Sequence, residues 1–531
     1  MFRVACAVLS LAVVAQPASD PALDKAKLRA AIELPAVNVS FGVQFRSHER
    51  DPRGNKFDPT DKIAELQKKL NGSPDDVETY FELRAVYLEC MKDGDKKAQE
   101  MATKAEAVVR PHLQTNDPKH AYLLTAYGTT LEISSDSPWV DCEKLAIRAV
   151  NLAPQDWRSW AYLAHVRHQQ IPAILCGGDD RALPKERRTQ ELLGRLHLQR
   201  CQPEYVDAAE KALNEALQYH DKAKELAPND AKRQMQRYGF RLAEVMMRNA
   251  IAASRGQKAP YPMQQFERVL LDELELSAKL QPDHLLWHSQ VAHQLIMLGW
   301  QKDGKPAQTF APARTEDAAA IRTAFDTIEK IASGSKGEAA IFGYLTLTAL
   351  SASMQDHGAV EKYAQRILSL DAKNQQAWEQ LQHAQVMQGK HTEAVRTGQA
   401  LVQAVPTSRS WYLAAKSLTT LGQMDGADQA CRTGLKQNPT DVHCILGIAA
   451  IMMRRSDDAT TLRDAKTLLD LARRECRPDS GAALLAEIEY LTAIHQALSG
   501  ESAIARVKLQ RMQTDTPGNQ RYAKALAAFT P

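Results

Sequence analysis

The sequence predicts an all-α chain: antiparallel helix pairs stacked side by side into an α-α superhelix, or solenoid, behind a short extended N-terminal arm. Three observations lead there. From Asp61 onward the chain is rich in Ala, Leu, Lys, Glu and Gln, residues that lose little freedom in a helix. These run for roughly 12–20 residues and then break at Pro, Gly, Asn or Asp. The breaks share one form and recur at a nearly constant spacing.

The first residues, MFRVACAVLSLAVVAQPASD, place Arg3 before the apolar run Val4–Ala15. That run is too short to span a bilayer, and Val13-Val14-Ala15 closes it with a small residue. This is the pattern of a cleaved signal peptide, residues 1–15, and it predicts export to a periplasmic or extracellular space. Removal would leave seven cysteines, Cys90, Cys142, Cys176, Cys201, Cys431, Cys444 and Cys476. They show no metal-binding spacing. Cys176 and Cys201 flank one irregular stretch and are the first candidates for a disulfide in an oxidising compartment. The others read as buried apolar thiols.

Residues 16–60 read as an arm and linker. Within them AVNVSFGVQF (36–45) alternates as a strand does, with Val37, Val39, Phe41, Val43 and Phe45 on one side. RSHERDPRGNKFDPT (46–60) is polar and broken by proline and glycine. Helical repeats then occupy 61–330, interrupted by inserted loops at 170–204 and 302–316, and continue more regularly over 331–531.

The breaks carry the period. SPDD (73–76), LAPQD (152–156), LAPND (226–230), LQPD (280–283), VPTS (405–408) and NPTD (438–441) each follow a run with small residues in its last turns. Proline cannot continue a helix, and the polar residue after it can cap the next one. Ala372, in LDAKN, stands where the proline would be. From Ala372 to Pro406 is 34 residues and from Pro406 to Pro439 a further 33. Between these marks Trp378 and Leu381 share a helix face, Gly389 permits a tight turn, and Ala394 lets a second helix approach closely.

This arrangement resembles the tetratricopeptide repeat, whose period is about 34 residues. Trp378, Leu381, Gly389, Ala394 and Pro406 match its pattern; Gln382 and Gln385 stand where the family places glycine and tyrosine. Trp411, Ala414, Gly422, Ala427 and Pro439 repeat it. Weaker matches are Tyr80, Leu83 and Tyr87 with Ala98, Ala102 and Ala105; Cys142, Ala146 and Ala149; Trp160 and Leu163; Ala216 and Ala223; and Ala465, Leu469 and Ala472. The period allows roughly eight or nine helix pairs.

The resemblance implies a scaffold whose first helices line a concave groove that holds proteins or peptides, for assembly or as a non-catalytic subunit. Its candidate groove residues here are Gln376, Glu379, His383 and Met387, then Arg409, Tyr412, Lys416 and Thr420, then His443 and Arg454. The Lys and Asn clamp with which some members grip a peptide carboxylate has no counterpart: Glu379 and His383, Tyr412 and Lys416, and Ala161 and His165 fill those positions.

Other chemistry finds little footing. The net charge is +3, without the basic excess of a nucleic-acid binder. No later stretch is apolar enough for an integral membrane segment. No phosphate-cradling loop or nucleophile elbow occurs, and no cofactor is implied. His284 and His288, four apart, suggest a metal pair on one helix face but lack an HExxH context; His165 and His168 are similar. Gly178-Asp179-Asp180 with Arg181 suggest a charged loop site, though a turn explains them as well, and an alternative reading is a helical-repeat enzyme with a hydrolytic or metal site in the inserted loops at 170–204 and 302–316.

Overall fold

The computed structural model describes residues 23–35, 59–90, 94–114, 116–134, 139–171, 174, 203–261, 263–302, 305–307, 309–476 and 482–529. The signal sequence, the alternating 36–45 stretch, most of the 170–204 insertion, and Cys176 with Cys201 lie outside them. The chain divides into two units, one ending at Asp356 and one that joins residues 23–35 to the residues from His357 onward.

The larger unit opens with the Pro59–Gly72 helix. The pairs that follow are Val77–Cys90 with Asp95–Val109, Ala121–Ser134 with Trp139–Leu152, Trp157–Gln169 with Pro203–Leu226, Ala231–Ser254 with Met263–Leu280, and Leu285–Gly299 with Thr315–Gly334; Gly337–Ser353 closes it. Each helix packs on the next in sequence. The expected small residues sit at the crossings: Ala105, Ala146, Ala149, Ala216 and Ala223 have no exposed surface. The 302–316 insertion differs from a plain loop. Gln301–Lys302 and Lys305–Pro306 form a short antiparallel ribbon, and Thr315 already begins a helix.

The C-terminal unit runs from the His357–Leu370 helix through the pairs Gln375–Met387 with His391–Ala404, Ser408–Thr420 with Met424–Gln437, Val442–Arg455 with Ala459–Glu475, and Ala482–Leu498 with Ser502–Asp515, to the Gln520–Leu526 helix. Ala394, Ala427, Ala465 and Ala472 are wholly buried between paired helices. Among the described residues no helix is long and apolar enough to cross a membrane.

The proline breaks work as stop-and-start signals, with the cap two residues after the proline position. Asp76 accepts from the Thr79 amide, Asp156 from Arg158, Asp230 from Arg233, Asn374 from Ala377 and Asp441 from Cys444. Each satisfies one of the free amides of a first turn. VPTS is one residue shorter, and Thr407 caps through Ser410.

The ring four residues past the cap reaches back across the break. Trp160 Nε1 donates to the Pro154 carbonyl at 2.9 Å, and Trp378 Nε1 to the Ala372 carbonyl at 2.8 Å. The indole thus satisfies a carbonyl of the turn that joins the two helices. His288 fills the same position and its Nε2 lies 2.8 Å from the Pro282 carbonyl. His284 is the cap residue itself, outside the Leu285–Gly299 helix, its ring against Trp287. The two histidines therefore do not share one helix face, and His288 does a tryptophan's structural work.

Candidate peptide groove

In the C-terminal unit the first helices of successive pairs form one row. Their turns are regular: Gly389 and Gly422, 33 residues apart, both have φ +74°, a left-handed conformation that costs glycine little. The departures from the family pattern compensate one another. Gln382 replaces a small residue, and the small residue has moved to the facing helix. A Cβ on Gly398 would lie 2.5 Å from Gln382 Nε2. The space so cleared holds the Gln382 amide, which donates to Ser417 Oγ at 2.8 Å and lies 3.2 Å from the Ala394 and Leu413 carbonyls. Gln385 is likewise employed, accepting from Thr397 Oγ1 at 2.7 Å.

With cap, ring, turn and crossing residues all in register at this spacing, the architecture is decided. This is a tetratricopeptide-like helical repeat protein.

Solved structures similar to it include yeast Tom70, 12% identical over 89% of this chain and 96% of that one, with a TM-score of 0.35. YrrB, described as a TPR protein with an unusual peptide-binding site, is 15% identical over 38% of this chain and 96% of its own, with a TM-score of 0.26. A tetratricopeptide repeat protein from Parabacteroides merdae is 12% identical over 62% and 98%, with a TM-score of 0.27. No protein-family model and no curated protein matches the chain.

The groove candidates of this repeat protein fall into four groups. Glu379 and Arg409 are locked to each other: Arg409 Nε and Nη2 each approach a Glu379 carboxylate oxygen at 2.7 Å. That bond raises the Arg409 pKa, and the pair ties two neighbouring first helices together. Gln376, His383, Lys416, His443 and Arg454 are half-buried, whereas Met387 and Thr420 are exposed. Burial lowers the pKa of His383, with His357 and Lys416 adding to it. Burial lowers Lys416 too, and Arg521 contributes. Burial also lowers the pKa of His443.

Tyr412 corrects the expectation of an open groove. It has no exposed surface, because residues 23–35 of the same chain lie over it. Its hydroxyl donates to the Pro35 carbonyl at 2.7 Å. Instead of an extended arm, part of this segment is a helix, Lys25–Ala30, capped by Asp24. The segment continues without regular structure to Pro35.

Its hold spans the later first helices. Tyr490 donates to the Ala31 carbonyl at 3.3 Å, and Arg521 Nη2 to the Glu33 carbonyl at 3.1 Å. Leu28, Ile32 and Leu34 are buried in the same apolar cluster as Tyr412, Leu446, Ile494 and Tyr522. At about 1.5–3 kcal/mol for each fully buried aliphatic side chain, these three are the segment's main anchors. Arg29 pairs with Asp457 at 2.8 Å and Lys25 with the same carboxylate at 3.3 Å. Glu33 meets Lys524 at 3.1 Å and Arg521 at 3.7 Å.

Sequence reasoning missed Asp457, Glu487, Tyr490, Arg521 and Lys524, because the lengthened turn after Glu475 breaks the period that would have placed four of them. One signal was available. Leu28 and Ile32 stand four apart among charged residues, which is the spacing of one apolar helix face.

Proposed function

We propose that this chain is an exported, non-catalytic scaffold that binds protein or peptide partners along the first-helix row of its C-terminal unit. The observation that supports the reading is the 23–35 segment itself. Side chains of the row hold main-chain carbonyls, an apolar surface takes alternate hydrophobic residues, and charges of both signs flank them, as peptide recognition requires. The similarity of YrrB, whose description includes a peptide-binding site, is in keeping with it. Export rests on the N-terminal apolar run and its small-residue end. The half-buried and exposed residues Lys416, Met387 and Thr420 offer contacts for a partner beside the part of the row that the segment already covers.

The test is a photo-crosslinking amino acid at Met387 or Thr420 of the full-length protein in its native host. A specific crosslinked protein, lost when Lys416→Ala is added without a change in thermal stability, supports the reading. No crosslink above that of a residue on the opposite, second-helix face removes it.

A further inference from the structure

The way residues 23–35 are bound goes beyond what a structural plug needs. A six-residue helix has no stability of its own in water, so this segment is ordered by the surface it lies on. That surface reads it as it would a separate peptide. Three consecutive alternate carbonyls, those of Ala31, Glu33 and Pro35, receive donors from Tyr490, Arg521 and Tyr412. These contacts are blind to side-chain identity.

Selectivity comes from the side chains. Leu28, Ile32 and Leu34 set the apolar spacing. Arg29 at one end faces the half-buried Asp457, and Glu33 near the other faces Arg521 and Lys524. Arg521 is itself aimed by Glu487, whose two carboxylate oxygens both accept from Nη1, at 2.7 and 2.9 Å. Reversing the peptide's charge order would set like charges together at both ends. Leu23 adds one antiparallel bridge to Phe529, and the Asp24 amide donates to the Ala528 carbonyl at 2.9 Å.

We infer that residues 23–35 are an internal ligand, and that the external partner of this site is a peptide of the same chemistry. That peptide has an apolar residue at positions i, i+4 and i+6, a basic residue at i+1, an acidic residue at i+5 and a chain extended beyond it. Partner and segment exclude each other, so the partner gains access only when the segment lifts away. This rests on the scaffold reading above and names the ligand class for it.

Two measurements on the full-length chain test the inference. In the first, a fluorescent peptide with the sequence of residues 23–35 is titrated against wild type and against a Leu28→Asp, Ile32→Asp variant, whose own segment cannot be buried. The variant should bind about a hundredfold more tightly, since its site is no longer occupied. A peptide carrying Glu33→Lys should bind the variant about tenfold more weakly than the parent peptide. Equal binding by wild type and variant, or indifference to Glu33→Lys, overturns the proposal.

The second measurement needs no variant and decides the matter if the double substitution fails to fold. Amide exchange in wild type is compared between residues 27–32 and the core of the Val442–Arg455 helix. An exchangeable ligand opens locally, and its amides exchange about a hundredfold faster or more. Exchange of both at one rate shows the segment to be an integral part of the core and overturns the proposal. A segment that opens and accepts the peptide while Met387 and Thr420 crosslink nothing leaves this inference standing and removes the wider scaffold reading. A crosslinked partner with a segment that never opens does the reverse.

Discussion

Gly398→Ala should destabilise the C-terminal unit even though alanine is the better helix former by about 1 kcal/mol. The new Cβ would stand 2.5 Å from Gln382 Nε2 and 3.1 Å from Ala414 Cα. The second neighbour is backbone and yields little. The first can move, but only by leaving Ser417, which is 2% exposed and bonded to Gln382 at 2.8 Å. An orphaned buried hydroxyl costs about 1–3 kcal/mol, and overpacking a similar amount. The net loss should be about 2–3 kcal/mol after the helix gain.

The same logic predicts coupling. Gln382→Ala alone forfeits the amide's hydrogen bonds and leaves a gap. Adding Gly398→Ala to that background removes the worst clash and partly refills the space. The double variant should therefore be more stable than the sum of the single effects predicts, by about 2 kcal/mol. Urea unfolding, resolved by amide exchange in the His391–Ala404 helix, reads all four corners of the cycle. Additivity within about 0.5 kcal/mol would refute the idea that the glycine of the first helix has been traded for one on the second.

Tyr412→Phe removes the hydroxyl bonded to the Pro35 carbonyl and should cost about 1 kcal/mol. The loss should appear as several-fold faster amide exchange in residues 27–32, with the Val442–Arg455 helix unchanged. In the larger unit, His220 is held to a pKa of about 3 by burial, with Arg237 and the neighbouring histidines adding to it; burial with His165 takes His168 to about 4. Both folded values lie below the unfolded one, so the unfolded chain binds more protons as pH falls. The stability of this unit should be fully present above about pH 6.5 and decline from there towards about pH 3. A melting-temperature series against pH should show this, and His220→Gln should flatten it. Gln355 takes φ +61° in the turn after Ser353, where the C-terminal unit uses glycine. Gln355→Gly should stabilise that turn by about 0.5–1 kcal/mol, measured as a rise in urea midpoint.

Local chemistry made much of this architecture readable without coordinates. Proline stops, caps two residues later, turn glycines and buried alanines act within a few residues of themselves, and a repeat multiplies the signal. The cap assignments at Asp156, Asp230, Asn374 and Asp441 follow from that. His288 shows the limit of such reading. As one of two histidines four apart it suggested a ligand, and only the line of Trp160 and Trp378 across the break reveals its role.

The groove was harder. Its row could be placed from the period, because helix faces follow from 3.6 residues per turn. What covers the row could not, since the Tyr412 and Pro35 partners are 377 positions apart and those of Tyr490 and Ala31 are 459 apart. The sequence by itself determined the paired helices and their caps, since those depend on neighbours along the chain, and it named a row of candidate positions on one face of the first helices. Only the tertiary structure decided that this face is occupied by the chain's own beginning. Burial of Leu28, Ile32 and Leu34 is a contact between distant segments, and no local preference encodes it.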